Sequence, residues 1–132
     1  MTMSSESELQ QQIRLHLARA GAPVLRNNNG ASKDHTGRMI RFGLGNDSSK
    51  INKRFKSSDL IGIRPVIITP DMVGQMIGQF LAVEVKHPGW KFPRETNKSE
   101  FARCNAQKNF LDWVNKHGGY GVFAQDVKDV GI

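Results

Sequence analysis

The segment Gln79-Phe-Leu-Ala-Val-Glu-Val-Lys-His87 constrains this chain most, because it sets a carboxylate and an ammonium two residues apart inside an apolar, β-rich run. Side chains along a strand alternate between faces, so Glu84 and Lys86 share one face while Leu81, Val83 and Val85 take the other. Burying an unpaired charge is costly, so two neighbouring same-face positions given to charge mark a site. A second short run, Ser57-Ser-Asp-Leu-Ile-Gly-Ile63, also opens with an acid, Asp59. Two carboxylates and a lysine on neighbouring strands compose a divalent-metal site aimed at phosphate. The plainer alternative is that Glu84 and Lys86 pair with each other.

At 132 residues the chain has the size of one domain. Its 19 lysines and arginines against 12 acids give a formal charge of +7, which favours nucleic acid or another polyanion as partner. The single Cys104 forms no internal disulfide, and no signal-like apolar stretch precedes the first helix, so a reducing cytoplasm is the expected compartment. No apolar run approaches the roughly 20 residues of a membrane span, and a soluble protein without membrane contact is expected.

Leu9, Ile13 and Leu17 recur on one stripe and predict an amphipathic helix from about Ser5 to Ala20, closed by Gly21 and Pro23. Val24 to Asn28 reads as extended, and Asn27 to Gly30 as a turn. From Gly30 to Lys56 the chain is polar and glycine-bearing; only Met39 to Phe42 resembles a strand, so a long functional loop is expected. Lys50, Lys53, Arg54 and Lys56 crowd its end as a phosphate-contacting arm or a solvated tip. Leu60 to Ile63 and Val66 to Ile68 read as strands broken at Arg64-Pro65, and Thr69-Pro70-Asp71 as the start of a short helix through about Met76. A second amphipathic helix is predicted from about Ser99 to His117, with Phe110, Leu111, Trp113 and Val114 as its apolar face. Gly118-Gly119 caps it, Tyr120 to Ala124 forms a last strand, and a closing turn lies near Asp126 to Val130. This order implies an α/β fold with a mixed sheet flanked by helices.

Phosphodiester hydrolysis needs a hard cation held by oxygen. Asp59 and Glu84 supply carboxylates and the Val85 backbone carbonyl a third ligand, while Lys86 orients the attacking water or neutralises developing charge. The constellation of Asp followed by Glu-x-Lys resembles the PD-(D/E)XK nuclease superfamily. Arg26 to Gly30, Gly37-Arg-Met-Ile-Arg-Phe-Gly43, Ser57 to Gly62, Phe80 to Lys86, and Ala106-Gln-Lys-Asn-Phe110 leading into Gly118-Gly119 narrow it to the VRR-Nuc (virus-type replication-repair nuclease) family, in the small stand-alone form encoded by phages and prophages.

That resemblance implies a restriction-endonuclease-like fold, with a mixed central sheet flanked by helices. It also implies Mg2+ with Mn2+ as substitute, in-line attack by water, and a homodimer acting on branched DNA. It gives Glu8 a supporting acid's place on the first helix, although Ser5-x-x-Glu8 is also a capping box, and it gives Gln107 a hydrogen-bonding role near the site. Ser58 either belongs to the motif or caps the strand. The chain departs from the family in a basic insertion at about 44–57 and in the segment from His87 to Ser99, where Trp90 and Phe92 either stack on bases or pack internally. Arg26, Arg38, Arg41, Lys50, Lys53, Arg54, Lys56 and Lys91 are the candidate DNA contacts. The four histidines show no ligand spacing. The competing readings are a catalytically weak DNA-binding accessory that keeps the nuclease fold, action on RNA, and a purely structural virion protein.

Overall fold

The computed structural model describes residues 5–130. Its backbone contacts gather into two compact units, Met1–Gly62 and Ile63–Ile132, where length alone suggests one domain. Each unit combines helices with strands, so the α/β class stands. The strands pair as three two-stranded sheets, one parallel and two antiparallel, where one central sheet was expected.

In the first unit, helix α1 spans Glu6–Arg19. Ser5 Oγ accepts from the Glu8 amide at 3.1 Å and Glu8 Oε2 accepts from the Ser5 amide at 3.2 Å, which satisfies donors that the first helical turn leaves free. The helix stops before Gly21, whose φ of +80° suits a residue without a Cβ. Strand β1 (Val24–Arg26) follows, then β2 (Gly30–Lys33), β3 (Met39–Phe42), helix α2 (Ser49–Arg54) and β4 (Leu60–Gly62). β1 pairs antiparallel with β4, setting Arg26 opposite Leu60, and β2 with β3 as a hairpin, setting Gly30 opposite Phe42.

The expectation of a long irregular loop from Gly30 to Lys56 is therefore corrected: the stretch is a hairpin followed by a helix. Polar side chains organise it where apolar periodicity is missing. The buried Asn46 amide donates to the Gly30 and Phe42 carbonyls at 2.8 and 2.9 Å, and Ser48 Oγ accepts from the Ile51 amide at the start of α2. The apolar stripe of α1, by contrast, is half-buried only at Leu17 and stays exposed at Leu9 (49%) and Ile13 (41%).

In the second unit, β5 (Leu81–Val85) runs parallel to β6 (Tyr120–Ala124), and the connection between them carries helix α3 (Lys98–Lys116). This is the crossover that parallel strands require. Cys104, Leu111 and Val114 of α3 are buried, as are Ala124 and Ile63. Gly121 permits the close approach of helix and strand, since a Cβ there would lie 2.7 Å from the Leu111 carbonyl oxygen. Asn115 fastens the same junction, donating to the Gly121 carbonyl at 3.0 Å and accepting from its amide at 2.7 Å.

Three local expectations change here. Val66 to Ile68 forms no strand, and Ile67 is 87% exposed. The helix begun by Pro70 is a single 3-10 turn, Pro70–Met72, without a side-chain cap and followed by Gly74 at φ +86°. Phe110 lies outside the buried stripe of α3, which runs instead through Cys104, Gln107, Leu111 and Val114. Among the described residues no helix is long and apolar enough to cross a membrane.

Candidate functional site

The second unit brings three of the expected site residues together. Glu84 and Lys86 lie on one face of the β5 segment, and Gln107 projects from α3 between them. Lys86 Nζ donates to Gln107 Oε1 at 2.8 Å, and Gln107 Nε2 donates to Glu84 Oε1 at 2.9 Å. Direct separation of Lys86 Nζ from Glu84 Oε1 is 3.8 Å. The amide thus uses both its ends, one as acceptor and one as donor, to hold a cation and an anion in fixed places.

The Lys86 side chain is only 9% exposed, against 37% for Glu84. Its ammonium sits 5.3 Å from the Trp90 ring centroid and 5.9 Å from that of Phe123, distances at which a cation is attracted to an aromatic face. Trp90 in turn packs against Phe92 and Phe123, and its carbonyl accepts from Gln125 Nε2 at 3.0 Å. Trp90 packs internally, Phe92 meets it and Phe123 edge-on while staying 37% exposed, and the segment after His87 builds an aromatic wall behind the lysine. Cys104 Sγ lies 3.9 Å from Lys86 Nζ, at the floor of the same arrangement.

The donor set suits a hard cation. Glu84 Oε1 carries the contacts to Gln107 and Lys86, and among the described residues Glu84 Oε2 accepts no hydrogen bond. Phe80 accepts from Tyr120 and Lys86 donates to Ala124 across the ladder, so backbone alternation turns the Val85 carbonyl away from β6. A half-buried carboxylate with one oxygen that accepts no hydrogen bond among the described residues, and a carbonyl turned away from the ladder, are ligands that magnesium accepts beside water. Among the described residues no three His, Cys, Asp or Glu side chains cluster as a metal-binding group. Beside Glu84 and Gln107 opens a cleft of about 370 Å³, lined also by Ala82, Val83, Ala106, Phe110 and Leu111.

Asp59 belongs to the first unit, exposed just before β4, where its carbonyl accepts from the Asn27 amide at 2.9 Å. Asn27 is the hub of this corner: its side-chain Nδ2 donates to Ser57 Oγ at 2.7 Å and to the Ser58 carbonyl at 2.9 Å, and its Oδ1 accepts from the Leu44 backbone amide. Ser58 Oγ donates to the Leu60 carbonyl at 2.7 Å, a strand-capping contact. Asp59 lines a cleft of about 450 Å³ with Glu6, Ser7, Leu9, Gln10, Ile13 and Leu60, and a second cleft with Arg26, Lys56 and the three asparagines. Glu8, the acid expected there, closes the capping box and lines neither cleft; Glu6 and Gln10 occupy the helix face that meets Asp59.

The expected DNA-contacting cations divide into groups. Arg38 and Arg41 line a cleft with Asn46 and Asp47; Lys50, Lys53 and Arg54 stand exposed on α2, and Lys91 is exposed in the second unit. Sequence reading gave no structural role to Glu6 or Asn46, and placed Asn27 only in a turn and in a family-like segment, not as the hub it forms. No family model matches the chain, and comparison with curated proteins and with solved structures yields no match.

Proposed function

We propose that this protein is a metal-dependent DNA endonuclease of restriction-endonuclease-like fold, allied to the VRR-Nuc family, acting as a homodimer on branched DNA. The observation that carries the reading is the Lys86–Gln107–Glu84 relay, at 2.8 and 2.9 Å, beside a cleft that Glu84 and Gln107 line. Glu84 and the Val85 carbonyl would contribute oxygen ligands to the cation, and Asp59 is the further carboxylate that the VRR-Nuc resemblance implies. Bound there, Mg2+ or Mn2+ supplies Lewis acidity toward the phosphoryl oxygen and lowers the pKa of a water. Lys86 contributes a fixed positive charge to the phosphate undergoing attack, and Gln107 keeps that charge from collapsing onto Glu84. The exposed cations of α2 and of the β2–β3 hairpin supply phosphate contacts that position the strand without reading its sequence.

Cleavage of labelled linear, flapped and four-way-junction DNA with Mg2+, Mn2+ or EDTA tests this. The expected result is metal-dependent cutting that falls at least about a hundredfold in Lys86→Ala, the scale of losing one transition-state charge contact. Cutting that persists in Lys86→Ala and Asp59→Ala would remove the assignment. The 3.8 Å approach of Lys86 to Glu84 favours a second reading, a DNA-binding accessory in which the two form a structural ion pair; binding without cutting under every metal condition distinguishes it.

A further inference from the structure

The cleft beside the relay is polar at Glu84 and Gln107 and aromatic at Phe110, and Arg103 lies just outside it, one helical turn before Gln107 on the same side of α3. Arg103, Gln107 and Phe110 follow at spacings of four and three, which places them on one side of the helix over about 10 Å. Phe110 is 40% exposed, and its other side rests on Trp113 at 5.7 Å between centroids and 26° between planes. Trp113 is backed by His117 at 5.3 Å, and His117 Nδ1 lies 2.8 Å from the Trp113 carbonyl oxygen. An exposed ring already stacked on one neighbouring ring loses little freedom when a further plane stacks on its open side. One turn before Gln107 and outside the cleft lining, the Arg103 guanidinium binds both oxygens of Glu100 at 2.9 Å in a solvent-exposed pair, and the charge of Glu84 also acts on it. Exposed pairs of this kind are worth little, so a phosphate can take the place of Glu100.

We infer that Phe110 is the stacking platform for an unpaired nucleobase of the DNA strand whose backbone crosses Glu84 and Lys86, with Arg103 on a neighbouring phosphate. The inference rests on the nuclease reading and narrows its substrate to strands with unstacked nucleotides, such as flaps, frayed branch points or single strands. A base within continuous duplex keeps both faces covered by its neighbours and has no plane to offer Phe110. The cleft of about 370 Å³, apolar along Val83, Ala106 and Leu111 and polar only at Glu84 and Gln107, suits one planar, partly apolar group. Stacking of this kind tolerates any base, so the selectivity concerns strandedness and not sequence.

Anisotropy of labelled oligo(dT) and of a blunt duplex of equal length, titrated in EDTA with the full chain, separates binding from cleavage. Phe110→Ala is expected to weaken oligo(dT) binding about 5- to 150-fold, the equivalent of one stacked base, and duplex binding by less than about twofold. Phe110→Tyr, which keeps the ring, retains oligo(dT) affinity within about threefold, and guards against a mere folding defect in the alanine variant. Equal losses on both probes, or none, overturn the platform; so does a drop in oligomeric mass by light scattering with DNA affinity intact, which would make the ladder a protein contact. Metal-dependent cutting lost in Lys86→Ala beside an indifferent Phe110→Ala sinks the platform alone. Selective oligo(dT) loss without any cutting upholds the platform and sinks the nuclease.

Discussion

The two units bury different chemistry. Among the described residues, Ile63–Ile132 buries apolar side chains, Ile63, Ala124 of β6 and Cys104, Leu111 and Val114 of α3, whereas Met1–Gly62 buries Asn46; both units leave large apolar side chains exposed. The first unit is pinned by asparagine and serine side chains bonded to backbone, the second by packing. Charge divides likewise: residues 1–62 carry ten lysines and arginines against five acids, and residues 63–132 carry nine against seven. The relay of Lys86, Gln107 and Glu84 thus sits on the packed unit, as precise positioning requires, while most cationic excess rides on the polar one.

That contrast breaks most visibly at Val114. It is fully buried, and Val114→Ala is expected to cost about 2 kcal/mol and Leu111→Ala about 2–5 kcal/mol, through lost burial and a residual cavity. Leu9→Ala, at an exposed position, should cost under about 1 kcal/mol. Both tryptophans lie in the second unit, so urea unfolding followed by fluorescence reports the first pair, and amide exchange across β1 and β4 reports Leu9. Comparable losses at Leu9 and Val114 would erase the distinction between the units.

Asn46 tests the polar half. Asn46→Ala leaves the Gly30 and Phe42 carbonyls without their donor in a buried place, which should cost about 1–3 kcal/mol and show as faster amide exchange in the β2–β3 hairpin. Asn46→Asp should fare no better, because a carboxylate offers those carbonyls no hydrogen to accept. An unchanged hairpin in both variants would mean that β2 and β3 hold together without the asparagine.

What could be read from the amino-acid order follows the same division. Both long helices, β1, β3, β4, β5 and β6 stand close to where apolar periodicity and β-branched runs put them, because apolar patterning reports packed elements directly. The β2 strand Gly-Ala-Ser-Lys and helix α2 were invisible, since their stability comes from Asn46 and Ser48 acting on backbone atoms, a signal without period. Val66 to Ile68 shows the reverse failure: β-propensity had no ladder partner to realise it. In the site, the shared face of Glu84 and Lys86 was legible from alternation, whereas the aromatic wall of Trp90 and Phe123 depends on a crossover that no local pattern encodes.

The helix α1 offers a finer contrast, between two acids two residues apart. Glu8 closes the capping box, so Ser5→Ala or Glu8→Ala should lower helix stability by about 1 kcal/mol, read as increased amide exchange in its first turn, while Glu8→Gln, which keeps an acceptor for the Ser5 amide, should not. Glu6 lines the cleft of Asp59 instead, so Glu6→Gln should reduce cleavage about tenfold with the helix intact, as expected for an acid supporting a cation site. A Glu8→Gln variant that loses activity while Glu6→Gln keeps it would return the supporting role to Glu8.

The smallest effect belongs to the tip of the β2–β3 hairpin, where the polar unit's dependence on hydrogen bonds becomes a pH dependence. Asp34 Oδ1 accepts from the Thr36 hydroxyl at 2.6 Å, the Thr36 amide at 2.9 Å and the Arg38 amide at 2.9 Å, and the Thr36 hydroxyl bond above all lowers its pKa below the ordinary carboxylate value. These bonds favour the charged form, so the folded pKa lies under the unfolded one. The stabilisation is present in full above the unfolded value of about 4 and fades as pH falls through the lower folded value. The Thr36 and Arg38 amide resonances should therefore titrate together below pH 4, and Asp34→Asn should abolish that titration while leaving the α3 amides of the packed unit unmoved. A midpoint at or above the ordinary aspartate value would mean that the turn owes its shape to Gly37, at φ +85°, and not to the carboxylate.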